Sequence, residues 1–141
     1  MIETILISIV CVAILATIFC IWYFNPFVIF RRKFVFSLPK SAKIVNYKFD
    51  FLKEERLFMK IFFDDNDYKN IEEGLHNYFK KTQKKALIPA FYSTCSWWDM
   101  DEKKITESYH TFKSGKRAKT LEVYAFITKR EDGKHFLYIV N

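Results

Sequence analysis

The side chains able to do chemistry are few and scattered. The chain carries three histidines, His76, His110 and His135, and three cysteines, Cys11, Cys20 and Cys95. Metal ligation needs such residues at close, fixed spacings, as in H-E-x-x-H or paired C-x-x-C. None of them stands at such a spacing, so no metal and no cofactor is expected. Cys95 has no histidine at a recognisable spacing and reads as a small buried hydrophobe, not a nucleophile. There is no G-x-S-x-G, no P-loop and no dinucleotide fingerprint, and three glycines leave little for a phosphate-cradling turn. The residue types predict a binding protein, not an enzyme.

Two runs have the chemistry of binding. The first is Cys95-Ser96-Trp97-Trp98-Asp99. Adjacent side chains in an extended segment point to opposite faces. Either one indole fills the core while the other is exposed as an interface anchor, or both are buried. The second run places Lys113, Lys116, Arg117 and Lys119 in one turn. Such a cluster fits phosphate, anionic lipid or a partner's carboxylates, and it equally fits a solvated hairpin tip. Nucleic acid is not expected, because single-strand binders need aromatic and basic residues on one open sheet face. The aromatics here alternate mostly as core positions.

These runs must be positioned by one domain. The chain has 141 residues, 23 Lys plus Arg and 16 Asp plus Glu, for a formal net charge of +7. Half the residues are hydrophobic, which excludes a disordered chain. Three glycines and three prolines exclude collagen-like classes, and three cysteines exclude a disulfide-stapled miniprotein. The aromatic load is heavy, with 16 Phe, 8 Tyr and 3 Trp.

All 23 basic residues lie after position 30. Before them, Ile5 to Phe24 reads ILISIVCVAILATIFCIWYF, without a charge. A helix of that length rises about 30 Å, the thickness of a bilayer's hydrocarbon core. Trp22 and Tyr23 stand where aromatic rings favour the membrane interface, and Arg31, Arg32 and Lys33 follow within snorkelling reach. Asn25-Pro26 ends the helix. The N-terminus has no Lys or Arg, Phe19 before Cys20 does not suit a lipoprotein, and the apolar run has the length of a spanning helix, so an uncleaved single-pass anchor is predicted over a signal peptide. The flanking charges favour a cytoplasmic domain, although a domain longer than about 60 residues escapes that bias.

Residues 1–30 are therefore assigned to the anchor and its exit, 31–40 to a basic linker, and 41–141 to a soluble α+β domain. Val45, Tyr47, Phe49 and Phe51 alternate with polar positions, and so do Leu57, Met59, Ile61 and Phe63 with Arg56, Phe58, Lys60 and Phe62. Two such runs predict a hairpin. Asp64-Asp65-Asn66-Asp67 supplies caps for an amphipathic helix over about 67–82, with Tyr68, Ile71, Leu75, Tyr78 and Phe79 on one face. Lys80, Lys81, Lys84 and Lys85 suit its negative end. Gly74 costs that helix about 1 kcal/mol relative to Ala and fits close packing on a sheet. A short strand over 90–96 is weaker. Three more strands follow near 105–112, 121–127 and 135–140, the last two joined by Asp132-Gly133. The expected order is ββαβββ: a small antiparallel sheet with one helix packed on it.

The anchor-plus-domain layout, the length and a composition rich in Phe, Ile, Lys, Asn and Tyr resemble those of membrane-anchored bacteriocin immunity proteins. The resemblance implies a protein of the bacterial inner membrane that neutralises a peptidoglycan-degrading toxin in the producing cell. Its partners would be the cognate bacteriocin and the lipid bilayer. It also implies a periplasmic domain, against the flanking charges. Muramidases work with carboxylates in a cleft. Lys113, Lys116, Arg117 and Lys119 are the candidate wedge into that cleft, with Trp97 or Trp98 as an apolar anchor. The alternative is a cytoplasmic domain that binds another protein or anionic lipid.

Overall fold

The computed structural model describes residues 2–34, 36–50, 56–81, 95–114, 120–130 and 132–140. Helix α1 runs Ile2–Tyr23, and its apolar side chains are exposed on every side. It is long and apolar enough to cross a membrane, with a mean hydropathy of 2.9 over Thr4–Tyr23. The two hydroxyls in its middle are satisfied internally. Ser8 donates to the Thr4 carbonyl at 2.9 Å and Thr17 to the Ala13 carbonyl at 2.8 Å. That pairing is what an apolar solvent demands.

Asn25-Pro26 does end α1, but the chain does not become a linker. Asn25 caps a second helix, α2 (Pro26–Lys33), by accepting from the Phe27 N–H at 2.9 Å. Pro26 sits at the start of that helix, where its missing N–H costs nothing. Ile29, Phe30 and Phe34 are buried in the main core, and Phe36 and Leu38 pack against it. Residues 25–40 are thus partly helical and contribute to the core. Eight residues are too few to show a helical period, which is why the sequence reads them as a connector.

Strands β1 (Lys43–Asp50) and β2 (Arg56–Asp64) form the expected hairpin. A bulge between Ile44 and Asn46 inverts the phase of β1. Ile44, Tyr47 and Phe49 therefore share one face, opposite Ile61, Met59 and Leu57. Ile44 and Phe49 pack on the core, Tyr47 on the same face stays exposed, and the bulged Val45 is exposed. A 3₁₀ turn (Asp65–Asp67) leads into α3 (Tyr68–Tyr78), and neither Asp64 nor Asp67 caps it through a side chain. Helix α3 is shorter than its periodicity predicts. Phe79 turns extended to enter the core, and Lys80–Lys81 become a two-residue strand, β3, paired with Tyr109 and His110. Lys84, Lys85 and residues 90–94 of the expected short strand lie outside the described residues.

After a 3₁₀ turn (Glu102–Lys104), β4 (Ile105–Ser114), β5 (Thr120–Lys129) and β6 (Lys134–Val140) complete the sheet. Gly133 makes the last turn with φ 73°, a conformation glycine adopts without penalty. The order is β1-β2-β6-β5-β4-β3, antiparallel throughout, so the fold is α+β. Helix α3 packs on the inner face, where its Ile71 and Leu75 belong to one buried cluster with Leu57, Met59, Ile61, Val123, Ile127, Leu137 and Ile139.

Gly74 is required by the exit segment, not by the sheet. A Cβ there would lie 2.5 Å from Cδ2 and 2.7 Å from Cγ of Phe36. Gly74→Ala should therefore destabilise by about 1–2 kcal/mol, the clash outweighing the gain in helix propensity. In a Phe36→Ala background the same change should be neutral or mildly stabilising. Urea titrations of the four variants in a double-mutant cycle measure both values.

Candidate functional site

The outer face of the sheet also carries an apolar cluster. Phe58 on β2, Tyr124 and Phe126 on β5, and Tyr138 and Val140 on β6 form a second buried cluster. Its cover is the segment from Cys95 to Met100. The Trp98 N–H bonds the Cys95 carbonyl at 3.0 Å, closing a turn. Because this segment turns, the indoles do not take opposite faces. Both Trp97 and Trp98 are half-buried against the cluster. Trp98 packs edge-on against Phe58 and Tyr138, with ring centroids 6.0 Å and 5.1 Å away. Cys95 is buried beneath them.

One charge lies within this aromatic layer. Lys60 of β2 is only 7 % exposed. Its ammonium is 4.6 Å from the Phe136 ring centre and 5.5 Å from that of Tyr138. It meets Asp99 Oδ1 at 2.5 Å, and the Tyr138 hydroxyl donates to the same oxygen at 2.9 Å. A desolvated ammonium is tolerated only when such partners replace water. The Asp99 carboxylate is 64 % exposed and remains hydrated on its outer side. Burial pushes the Asp99 pKa up, but the Lys60 and Tyr138 hydrogen bonds outweigh it, and the net shift is downward. Tyr138 is pushed up, first by burial and then by its bond to Asp99. The arrangement is a clasp that fixes the tryptophan-bearing cover to the centre of the sheet.

Sequence reasoning missed Lys60, Asp99 and Tyr138 as a unit, although a signal existed. Strand β2 is apolar at both parities, with Phe58 and Phe62 beside Lys60 and Leu57, Met59 and Ile61 opposite. A lysine at the centre of a strand covered on both faces must be buried and must find a partner.

Of the residues expected at a membrane interface, Trp22, Tyr23 and Arg32 lie where α1 meets α2. Arg32 donates to the Tyr23 carbonyl at 2.9 Å, and its guanidinium lies 3.9 Å from the Tyr23 ring centre. It thus satisfies a carbonyl at the last turn of α1. Trp22 is exposed beside this junction, and Phe19 stacks on Tyr23 with centroids 5.6 Å apart. Lys33 lies 5.5 Å from the Phe49 ring centre, and its carbonyl accepts from the Tyr78 hydroxyl at 3.3 Å. Arg31 is exposed and lines a cleft with Phe27, Phe30, Ser37 and Leu38.

The two predicted groups are not brought together. Helix α2 packs on the inner face, and Trp97 and Trp98 on the outer one. Of the candidate wedge, Lys113 pairs with Leu121 at the end of β4, and Lys116, Arg117 and Lys119 lie outside the described residues.

Several further titratable groups are engaged within the fold. Tyr109 is fully buried and donates to Glu107, and burial first, then Glu107, pushes its pKa up. Tyr68 is pushed up to about 12, chiefly by burial. His135 stacks on Phe63 and its Nε2 meets the Asp65 carboxylate, which that hydrogen bond holds below its usual range. Among the described residues no three metal-ligating side chains converge. No family model, curated protein or solved structure matches the chain.

The clasp predicts an asymmetry. Asp99→Ala strands a buried ammonium and should cost about 1–3 kcal/mol, whereas Lys60→Met leaves a hydrated carboxylate and should change stability by less than about 1 kcal/mol. The Asp99 contribution is complete above its ordinary pKa of 3.8 and is lost as pH falls through the lower folded value. Thermal midpoints of wild type and Asp99→Ala should therefore converge below that pH.

Proposed function

We propose that this chain is a membrane-anchored immunity protein that binds and neutralises a peptidoglycan-degrading bacteriocin in the cell that makes it. The observation that supports the reading is the junction of anchor and domain. Only Phe24 and Asn25 separate α1 from α2, and Ile29 and Phe30 of α2 are buried in the domain's core. A domain joined in this way stays at the bilayer surface, within reach of a wall-degrading enzyme working beside the membrane. The described ionisable side chains favour binding over catalysis. Lys60, Asp99, Glu107, Tyr109, Asp65 and His135 are engaged with one another in contacts that hold the fold.

On the partner, carboxylates flank the scissile bond of a glycan-cleaving site. Lys113 near the end of β4 and Lys116, Arg117 and Lys119, which follow β4 in the sequence, are of the charge complementary to such a cleft. The half-buried Trp97 and Trp98 offer large rigid surface already held in place by Lys60 and Asp99.

A second reading has one observation in its favour. Arg31, Arg32 and Lys33 lie immediately after α1, and basic residues there favour a cytoplasmic domain. In that reading the domain binds another protein or anionic lipid inside the cell.

Two measurements on the full chain separate these. Alkaline phosphatase fused after Asn141 should be active, and expression should protect cells challenged with wall-degrading bacteriocins. Replacing Lys113, Lys116, Arg117 and Lys119 together by Ser should lower the tolerated dose by at least about tenfold, equivalent to about 1.4 kcal/mol of binding. An inactive phosphatase fusion with an active cytoplasmic reporter contradicts the wall-directed reading. Full protection by the four-Ser variant contradicts the wedge.

A further inference from the structure

We propose that the cleft between α2 and the Ser37–Leu38 segment holds the phosphate headgroup of an anionic phospholipid. The proposal rests on α1 being a membrane anchor and is independent of the toxin. The cleft has a volume of about 240 Å³ and is lined by Phe27, Phe30, Arg31, Ser37 and Leu38. That is below the roughly 300–1,000 Å³ of pockets for drug-sized ligands, so its occupant is a small group.

Three features specify the chemistry. The first is charge. Of the three consecutive cations on α2, Arg32 is turned back onto Tyr23 and Lys33 lies over Phe49. Arg31 is exposed at the cleft and has no ion-pair partner among the described residues. A guanidinium presents a planar fork that matches two phosphate oxygens. The second is polarity. Ser37 adds a hydroxyl donor, while Phe27, Phe30 and Leu38 supply an apolar wall for the glycerol and the first acyl carbons. Phe27 and Arg31 are one turn apart, so ring and cation share a face of α2. The third is position. Helix α2 begins three residues after the last residue of an apolar helix exposed on every side. The headgroup layer extends only about 5–7 Å beyond the hydrocarbon on each side, and α2 leaves α1 directly into it. The neighbouring exposed Trp22, Phe24 and Phe27 are side chains suited to that layer.

The test uses the full chain purified in non-ionic detergent and titrated with phosphatidylglycerol, phosphatidylcholine or inorganic phosphate. Bound molecules are counted by native mass spectrometry. The wild type should retain phosphatidylglycerol about fivefold better than phosphatidylcholine, the preference expected for one arginine at an anionic surface. Arg31→Gln should abolish the preference, Arg31→Lys should keep part of it, and Lys69→Gln, an exposed change on α3, should leave it intact. Equal retention of the two lipids, an undiminished preference in Arg31→Gln, or displacement of lipid by inorganic phosphate would each overturn the site. The third of these would mark a free-anion site instead. Failure of the wild-type chain to float with liposomes would overturn the anchor reading and the site with it. A chain that floats yet shows no lipid preference overturns the site alone.

Discussion

An apolar helix exposed on all sides is stable only where something other than water surrounds it. Helix α1 is such a helix, and after two intervening residues the chain starts α2, whose Ile29 and Phe30 are buried under the sheet. These two demands meet at one short junction, and the rest of the structure is arranged around it. Asn25 caps one helix, Arg32 caps the other, and Phe34 and Phe36 carry the same segment on to α3. Helix α1 is therefore not a string attached to a finished domain. Its exit helix is one of the pieces that finish the domain.

The sheet carries a second consequence. A sheet with apolar residues on both faces needs two covers. Helices α2 and α3 supply the inner one, and the segment around Trp97 and Trp98 supplies the outer one. A short irregular segment has little area with which to hold itself down, and the clasp of Lys60 on Asp99 and Tyr138 does that work. The same clasp fixes the aromatic surface that the proposed function uses. In the proposed function stability and recognition share those residues, so a change at Asp99 should be felt in both.

Much of this was legible in the residues. The apolar run from Ile5 to Phe24, the alternation in 57–63, 121–127 and 135–140, and the Asp132-Gly133 turn lead directly to α1, β2, β5, β6 and the last hairpin. What stayed hidden depended on tertiary contacts. A bulge reversed the phase of β1, and Phe79 left its helix for the core. Asp65 turned to His135 instead of to a helix end. Helix α2 was invisible because eight residues around a proline look like a linker until their partners are known. The clasp was half visible, since Lys60 stood in a strand apolar on both faces while nothing in the spacing named Asp99 as its partner.

The central claim is that the exit helix belongs to the fold. Two truncated chains test it most directly, one starting at Asn25 and the other at Phe34, compared by urea unfolding. The account predicts that the longer chain unfolds cooperatively. The shorter chain should be less stable by about 5 kcal/mol or fail to unfold cooperatively, because Ile29 and Phe30 leave an unfilled space over the sheet. Equal stability of the two chains would contradict the account and return residues 25–33 to the status of a tether.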